Sequence, residues 1–312
     1  MPILFYNDIK KAYTREAVLL KLRQFLDKTE PQLVYWLQHT WNFQGRAITY
    51  KELREAILNG SLNQQIIEDW QQDYTRFVRE YLRPMWVKAM DEAVTQLSDR
   101  YPTFAYDPTA EGIKDWLDTK AATFVTNSTT TQINAINDVV SKAALIQDVT
   151  VDGLARAIRP MVGLTKQQAA ANLKYYMSMI ESGLSEKKAL ERSIKYSARQ
   201  NRYRGYNIAR TELAFAYNKG EHFAVKQAID RGYMGYTKKT WCTADDERVC
   251  ETCGGLEGNT IELDEDFNFY TKLLLSNPGI RQTPPAHPSC RCTVLYVEVS
   301  PPDYALWNAQ NT

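Results

Sequence analysis

Through its first two-thirds the chain repeats apolar residues at spacings of three and four, the period of helices. Thr49-x-x-Glu52 is a capping box ahead of Leu53, Ala56 and Ile57, and Gly60 closes that helix. Ile66, Trp70, Tyr74, Phe77 and Tyr81 form the next stripe, which Pro84 should kink or break before Met85, Trp86 and Met90 resume it. Tyr101-Pro102 to Asp107-Pro108 is rich in turn formers and is the best domain boundary. A second helical block carries Ile113, Trp116, Leu117 and Phe124, then Ile133, Ile136, Val139 and Val140. Thr126 to Thr131 is weak helix-forming sequence that should loosen its middle. A short helix over Val151–Ile158 stops at Pro160, and the capping box Thr165-x-x-Gln168 opens another that ends at Gly183. The aromatic residues of these stripes read as core.

Beyond residue 232 the pattern changes. Tyr233–Trp241 and Thr293–Val299 have the β-branched and aromatic content of strands, with Thr260-Ile261 as a third. Glycine and proline gather between them. The expected fold is therefore α+β, a mainly helical N-terminal two-thirds followed by a small loop-rich module. The expected division is residues 1–106 as a helical region, 107–232 as a second helical part that includes a basic helix, 233–299 as the small module, and 300–312 as an extended tail to which Trp307 gives one apolar anchor.

The 312 residues have ordinary globular composition and a net charge of only +1, so overall charge selects no partner. No stretch approaches 18 uninterrupted apolar residues, and the N-terminus meets Lys10-Lys11 too soon for a signal-peptide core, so neither a membrane span nor secretion is expected.

All five cysteines lie between Cys242 and Cys292. Cys250-x-x-Cys253 and Cys290-x-Cys292, with His287 three residues ahead of Cys290, are spaced as ligands for one tetrahedral ion. Closing the loop from Cys253 to His287 costs roughly 3 kcal/mol of chain entropy. A structural zinc ion returns on the order of 10–16 kcal/mol, which offsets that closure. The expected cofactor is structural Zn²⁺ on Cys250, Cys253, His287 and Cys290, with Cys292 the rival fourth ligand. Cys242, eight residues ahead of the pair, reads as a buried thiol or a substitute ligand. Two competing readings are reduced cysteines packed as small hydrophobes and a redox Cys-x-x-Cys; the latter lacks its βαβ context. Asp245, Asp246 and Glu247 beside His287 raise a further alternative, a Mg²⁺-dependent nuclease or hydrolase, against the simpler reading of a solvated acidic loop.

Charge is nonetheless segregated. Lys188, Arg192, Lys195, Arg199 and Arg202 repeat at four, three, four and three residues, one continuous basic stripe on a helix, with Tyr196, Tyr203 and Tyr206 interleaved. Such a stripe can track DNA phosphates; it can equally be a solvated face, or meet the nine Asp/Glu found between Cys242 and Phe269. A zinc-stapled DNA-binding protein is the third class considered, although no major-groove recognition motif is legible.

Several motifs occur in order: Ile208-Ala-Arg-Thr-Glu-Leu-Ala, Asn218-Lys-Gly, Lys239-Thr-Trp241, Asp245-Asp-Glu-Arg-Val-Cys250, Cys253-Gly-Gly-Leu-Glu-Gly258 and Pro284-Pro-Ala-His-Pro-Ser-Cys-Arg-Cys292. In this series the chain resembles the phage head morphogenesis family, the minor head proteins similar to protein F of phage Mu, from about Asp148 to Val299. The resemblance implies a virion component inside the head near the portal vertex, present in host cytoplasm during assembly. Its partners would be the portal protein, the major capsid protein and packaged double-stranded DNA, with no membrane and no small-molecule substrate, and it would be structural rather than an enzyme. The residues carried over are Arg210, Thr211, Glu212, Trp241, Asp246, Arg248, Cys253, Gly258, His287, Cys290 and Cys292. Many members have His at the position of Cys253 and no Cys at 250. Arg210-Thr211-Glu212, charged within an apolar helix, is expected to pair with a loop of the metal module, Asp246 or Arg248 being the candidate partners; a catalytic Glu212 is the competing reading.

Overall fold

The computed structural model describes residues 14–244, 246–269 and 279–299. Its helices are α1 (Arg15–Ala47), α2 (Tyr50–Asn59), α3 (Gln64–Phe77), α4 (Arg83–Arg100), α5 (Glu111–Ala143), α6 (Val151–Ile158), α7 (Lys166–Glu181), α8 (Glu186–Asp230) and the single turn α9 (Glu251–Gly254). Five strands follow α8: β1 (Thr237–Cys242), β2 (Thr260–Glu262), β3 (Phe267–Phe269), β4 (Gly279–Arg281) and β5 (Thr293–Glu298). The expected α+β class holds: a mostly helical chain with a small antiparallel sheet near the Cys/His cluster. The tail from Ser300 onward, and Asp245, lie outside the described residues.

Both capping boxes form, at Thr49/Glu52 and Thr165/Gln168, and Gly60 and Gly183 close their helices at positive φ. At Pro84, expected to kink or break the helix, the regular helix is disturbed but not broken. Residues Val78–Leu82 form a π turn, and the Arg83 N–H bonds to the Val78 carbonyl, so the chain widens just before the ring and runs on as α4. Likewise Thr126–Thr131 does not loosen α5, which is continuous over 33 residues. Tertiary contacts override weak propensity there. Phe124 packs on Tyr74 and Phe77, and Gln132 accepts the Tyr74 hydroxyl at 2.8 Å while donating to Gln44 at 3.1 Å.

The chain clusters into two compact units. One comprises residues 32–84 and 115–206, the other residues 1–31, 85–114 and 207–312. The first is all helical. Its core gathers Leu53, Ile57 and Trp70 with Ile136, Val139, Leu154, Ile158 and Tyr176. A buried polar chain threads it: Trp41 Nε1 donates to the Tyr74 hydroxyl at 2.9 Å, which continues to Gln132. Gly163, at φ +89°, lies so close to Trp41 that an added Cβ would stand 2.4 Å from the indole.

The second unit holds the sheets and Asn207–Asp230 of α8. β1 is the central strand, antiparallel to β2 on one side and to β5 on the other. It begins at Thr237 rather than Tyr233, because Gly232 at φ +76° ends α8 in a turn where the Tyr233 N–H bonds to the Ala228 carbonyl. β3 and β4 make a separate two-stranded ladder that the composition did not announce. Trp241, Phe267, Val294 and Tyr296 form the core of this unit with Ala224, Val225 and Ala228 of α8. Helix α4 approaches α8 closely at Gly220, where a Cβ would lie 2.4 Å from the Met90 Cα.

Gly220→Ala should therefore lower the melting temperature by several degrees, an overpacking cost of about 1–3 kcal/mol. Gly254→Ala, with nothing near its virtual Cβ, should leave it almost unchanged. Thermal unfolding followed by circular dichroism checks the pair; equal effects would contradict the packing described.

Candidate metal centre

Cys250 caps the N-terminus of α9, and its Sγ accepts the Cys253 N–H at 3.4 Å. The opposite wall is a turn, His287-Pro-Ser-Cys290, closed by the Cys290 N–H to the His287 carbonyl at 3.2 Å with Ser289 at φ 61°. That is the chelating turn expected from the spacing.

The side chains converge. His287 Nε2 lies 3.1 Å from both Cys250 Sγ and Cys253 Sγ, and Cys253 Sγ is 3.8 Å from Cys290 Sγ. The donor atoms form two overlapping sets, Cys250/Cys253/His287 and Cys253/Cys290/Cys292, each within 4.8 Å. Zinc–sulfur bonds of about 2.3 Å at tetrahedral angles place sulfurs about 3.8 Å apart, which is the Cys253–Cys290 separation. His287 Nδ1 sits 2.8 Å from the Pro288 carbonyl. Donation of its proton there leaves Nε2 bare and aimed at the thiols, as a metal-ligating imidazole needs.

Electrostatics points the same way. The buried Cys290 thiol is held well below the ordinary range because Cys253 and Cys292 hydrogen-bond to its sulfur. Cys253 is pushed up because its hydrogen bond to Cys290 keeps its proton, and Cys292 is also raised. Sulfurs this close cannot all ionise beside one another without a cation; a divalent ion takes the place of the protons. This Cys/His cluster can hold a metal ion such as zinc. Cys242 stands apart, buried, its thiol raised to about 12 by desolvation and its Sγ turned to the Thr240 carbonyl.

Helix α8 grips the ligand-bearing segment along one face. The Ser289 N–H donates to Thr211 Oγ1 at 2.9 Å and Ser289 Oγ to Asn207 Oδ1 at 2.7 Å. One stage further along, Asn218 Nδ2 donates to the Cys292 carbonyl at 3.4 Å and Asn218 Oδ1 accepts the Thr293 hydroxyl at 2.8 Å. His222 Nδ1 then meets the Tyr296 hydroxyl at 3.3 Å. Asn207, Thr211, Asn218 and His222 thus follow successive positions of the segment from Ser289 into β5. The helical period supplies the seam; neither Asn207 nor His222 stood out in the sequence.

The motif residues divide. Thr211 touches the metal loop, as expected of the Arg-Thr-Glu run. Arg210 does not pair with Asp246 or Arg248; it makes a two-pronged ion pair with buried Glu30 of α1, at 2.7 and 2.8 Å. Asp246 is instead taken by Arg291, the residue between Cys290 and Cys292, at 2.5 and 2.7 Å, and by Arg248 at 3.2 Å. The Arg291 guanidinium accordingly holds the Asp246 carboxyl far below the usual carboxylate range. Trp241 is fully buried edge-on against Phe267, 5.1 Å between centroids, and Gly258, at φ +72°, donates to the Trp241 carbonyl. Glu212 is buried in α8.

The nuclease alternative needed free carboxylates beside His287. Both oxygens of Asp246 are engaged by arginines, and His287 faces thiols. The basic stripe lies on Glu186–Tyr206 of α8. Lys188, Arg192, Lys195, Arg199 and Arg202 are all exposed, and none makes an ion pair among the described residues. The acidic segment has cations of its own: besides Asp246, Glu257 pairs with Arg15, Glu262 with Lys238 and Asp264 with Lys226.

Residues 173–295, a stretch that carries all of α8 and every candidate ligand, match the family model described as Phage Mu protein F like protein. No curated protein and no solved structure matches the chain.

Lys239 of β1 is a buried cation, 0% exposed, with no hydrogen-bond partner for Nζ among the described residues; desolvation pushes it down to about 8 against the opposing pull of Asp266 and Asp264. A folded-state value below that of the unfolded chain means the penalty is full below pH 8 and fades as pH rises towards 10. Lys239→Met should therefore stabilise the protein most near pH 7 and much less near pH 10. Urea unfolding at the two pH values checks this; a variant destabilised at both would show that the charge is compensated.

The Asp246–Arg291 pair joins the two walls of the cluster. Asp246→Asn should weaken metal affinity by about 10–100-fold, the usual effect of removing a group that orients ligands, measured by competition with a chromogenic chelator. Unchanged affinity would make the pair incidental.

Proposed function

We propose that the protein is a structural minor head component of a tailed phage whose C-terminal module is stapled by one zinc ion. The observation that carries the reading is the coincidence of the family match with the convergent cluster. Cys250, Cys253, His287 and Cys290 are the ligands of choice, Cys290 being preferred to Cys292 for its 3.8 Å spacing from Cys253. The ion supplies cross-linking, not reactivity, because four protein donors leave it no open position. Residues 233–299 form the stapled module in this reading, and 107–232 carry the basic helix. Residues 1–106 dock on the portal or the major capsid protein; the protein sits inside the head near the portal vertex.

Partners inferred from the family are thus the portal, capsid subunits and the packaged DNA. Among the described residues no helix is long and apolar enough to cross a membrane. No catalytic role is proposed for Asp246, Asp245 or His287.

Purified protein should carry about one zinc per chain by elemental analysis, and removal by a strong chelator should lower its melting temperature by more than ten degrees. Metal-free protein of unchanged stability would refute the staple. Locating the chain at the portal vertex by cryo-electron microscopy of particles tests the assembly role. Mg²⁺-dependent DNA cleavage lost in Asp246→Ala would favour the enzyme instead.

A further inference from the structure

The charge that nearly cancels over the whole chain does not cancel within the units. Residues 32–84 and 115–206 carry 19 Lys/Arg against 14 Asp/Glu, and the remaining residues 19 against 23. The positive excess has a place. Beside the N-terminal half of α8 lies a cavity of about 250 Å³ lined by Trp41, Tyr50, Arg46, Arg156, Arg159 and Ile194, among others, with no carboxylate in its wall.

Its arginines do different things. Arg159 is committed to the fold: it donates to the Gly45 carbonyl at 2.7 Å and the Arg46 carbonyl at 2.6 Å, the C-terminal carbonyls of α1, and lies 4.7 Å over the Tyr50 ring. Arg46 and Arg156 are exposed and have no ion pair among the described residues. The nearby acid Asp152 is taken by Arg54 at 2.9 Å. Behind the wall, buried Arg204 lies 5.3 Å from the Trp41 ring and donates to the Gly163 carbonyl, adding a cation that no carboxylate offsets.

The cavity abuts the basic helix. Ile194 lies on the line of Lys187, seven residues earlier, which flanks the stripe's own line along the helix. The stripe spans 14 residues, about 21 Å at 1.5 Å per residue. Arginine suits bidentate contact with phosphate, and Tyr50 and Ile194 give the site an apolar side for a sugar. We propose that the Arg46/Arg156 cavity is a phosphodiester site, and that together with the stripe it forms one face for the backbone of double-stranded DNA. The face rests on the head-protein reading for its partner, but not on the zinc staple.

Binding of the intact protein to a non-specific 30-base-pair duplex, followed by fluorescence anisotropy across a salt series, tests this. Each neutralised phosphate contributes about 0.9 to the slope of log affinity against log salt. Arg46→Gln/Arg156→Gln should reduce the slope by about 1–2 and weaken binding roughly tenfold at low salt, and Lys195→Gln/Arg199→Gln should do the same. Both pairs are exposed, and unchanged thermal unfolding confirms intact folds. A cavity variant with the wild-type slope overturns the phosphodiester site. Wild-type protein that ignores duplex DNA while keeping its zinc overturns the whole face and leaves the stapled head protein standing; binding of an acidic protein instead would be read from that same outcome.

Discussion

The C-terminal module depends on the contact between α8 and the segment that carries His287, Cys290 and Cys292. A three-stranded sheet with strands of three to six residues buries too little apolar surface to hold irregular loops by itself. The helix supplies what the sheet lacks. Thr211 and Asn218 satisfy backbone groups of the ligand loop and Asn207 accepts its Ser289 hydroxyl, while Ala224, Val225 and Ala228 fill the space under Trp241 and Val294. Each loop carbonyl or amide left unpaired in that position would cost about 1–3 kcal/mol. The seam thus fixes one wall of the cluster before any ion enters.

The second wall comes from Asp246 to Cys253 and is anchored differently, through the Asp246–Arg291 ion pair and the Cys250 cap of α9. A metal ion would close two walls already aligned. That arrangement accounts for the placement of Arg291 between two ligands, since its guanidinium must reach the opposite wall. It also accounts for Asn218-Lys-Gly220. Asn218 holds β5, and Gly220 allows α4 to press against the same helix.

What the sequence disclosed and what it hid follow one physical division. Local chemistry was legible: the capping boxes at Thr49 and Thr165, the paired cysteines with His287, the strands at 237–242 and 293–298. Features decided by distant residues were not. Arg210 finds Glu30, 180 positions away, and nothing in the Arg-Thr-Glu run names that partner. The continuity of α5 through Thr126–Thr131 depends on Tyr74 and Phe77, and the passage through Pro84 on a π turn five residues long. β3 and β4 are three residues each, too short for a periodic signal. The domain match, covering residues 173–295, leaves the N-terminal helices to be read from packing alone.

The central claim is that these thiols and one imidazole share a single ion. X-ray absorption at the zinc edge of the purified protein measures that shell directly. The account predicts four ligands, three sulfurs at about 2.3 Å and one nitrogen at about 2.0 Å. A shell dominated by oxygen, or no zinc in a protein whose five thiols all react freely while it remains folded, would contradict it.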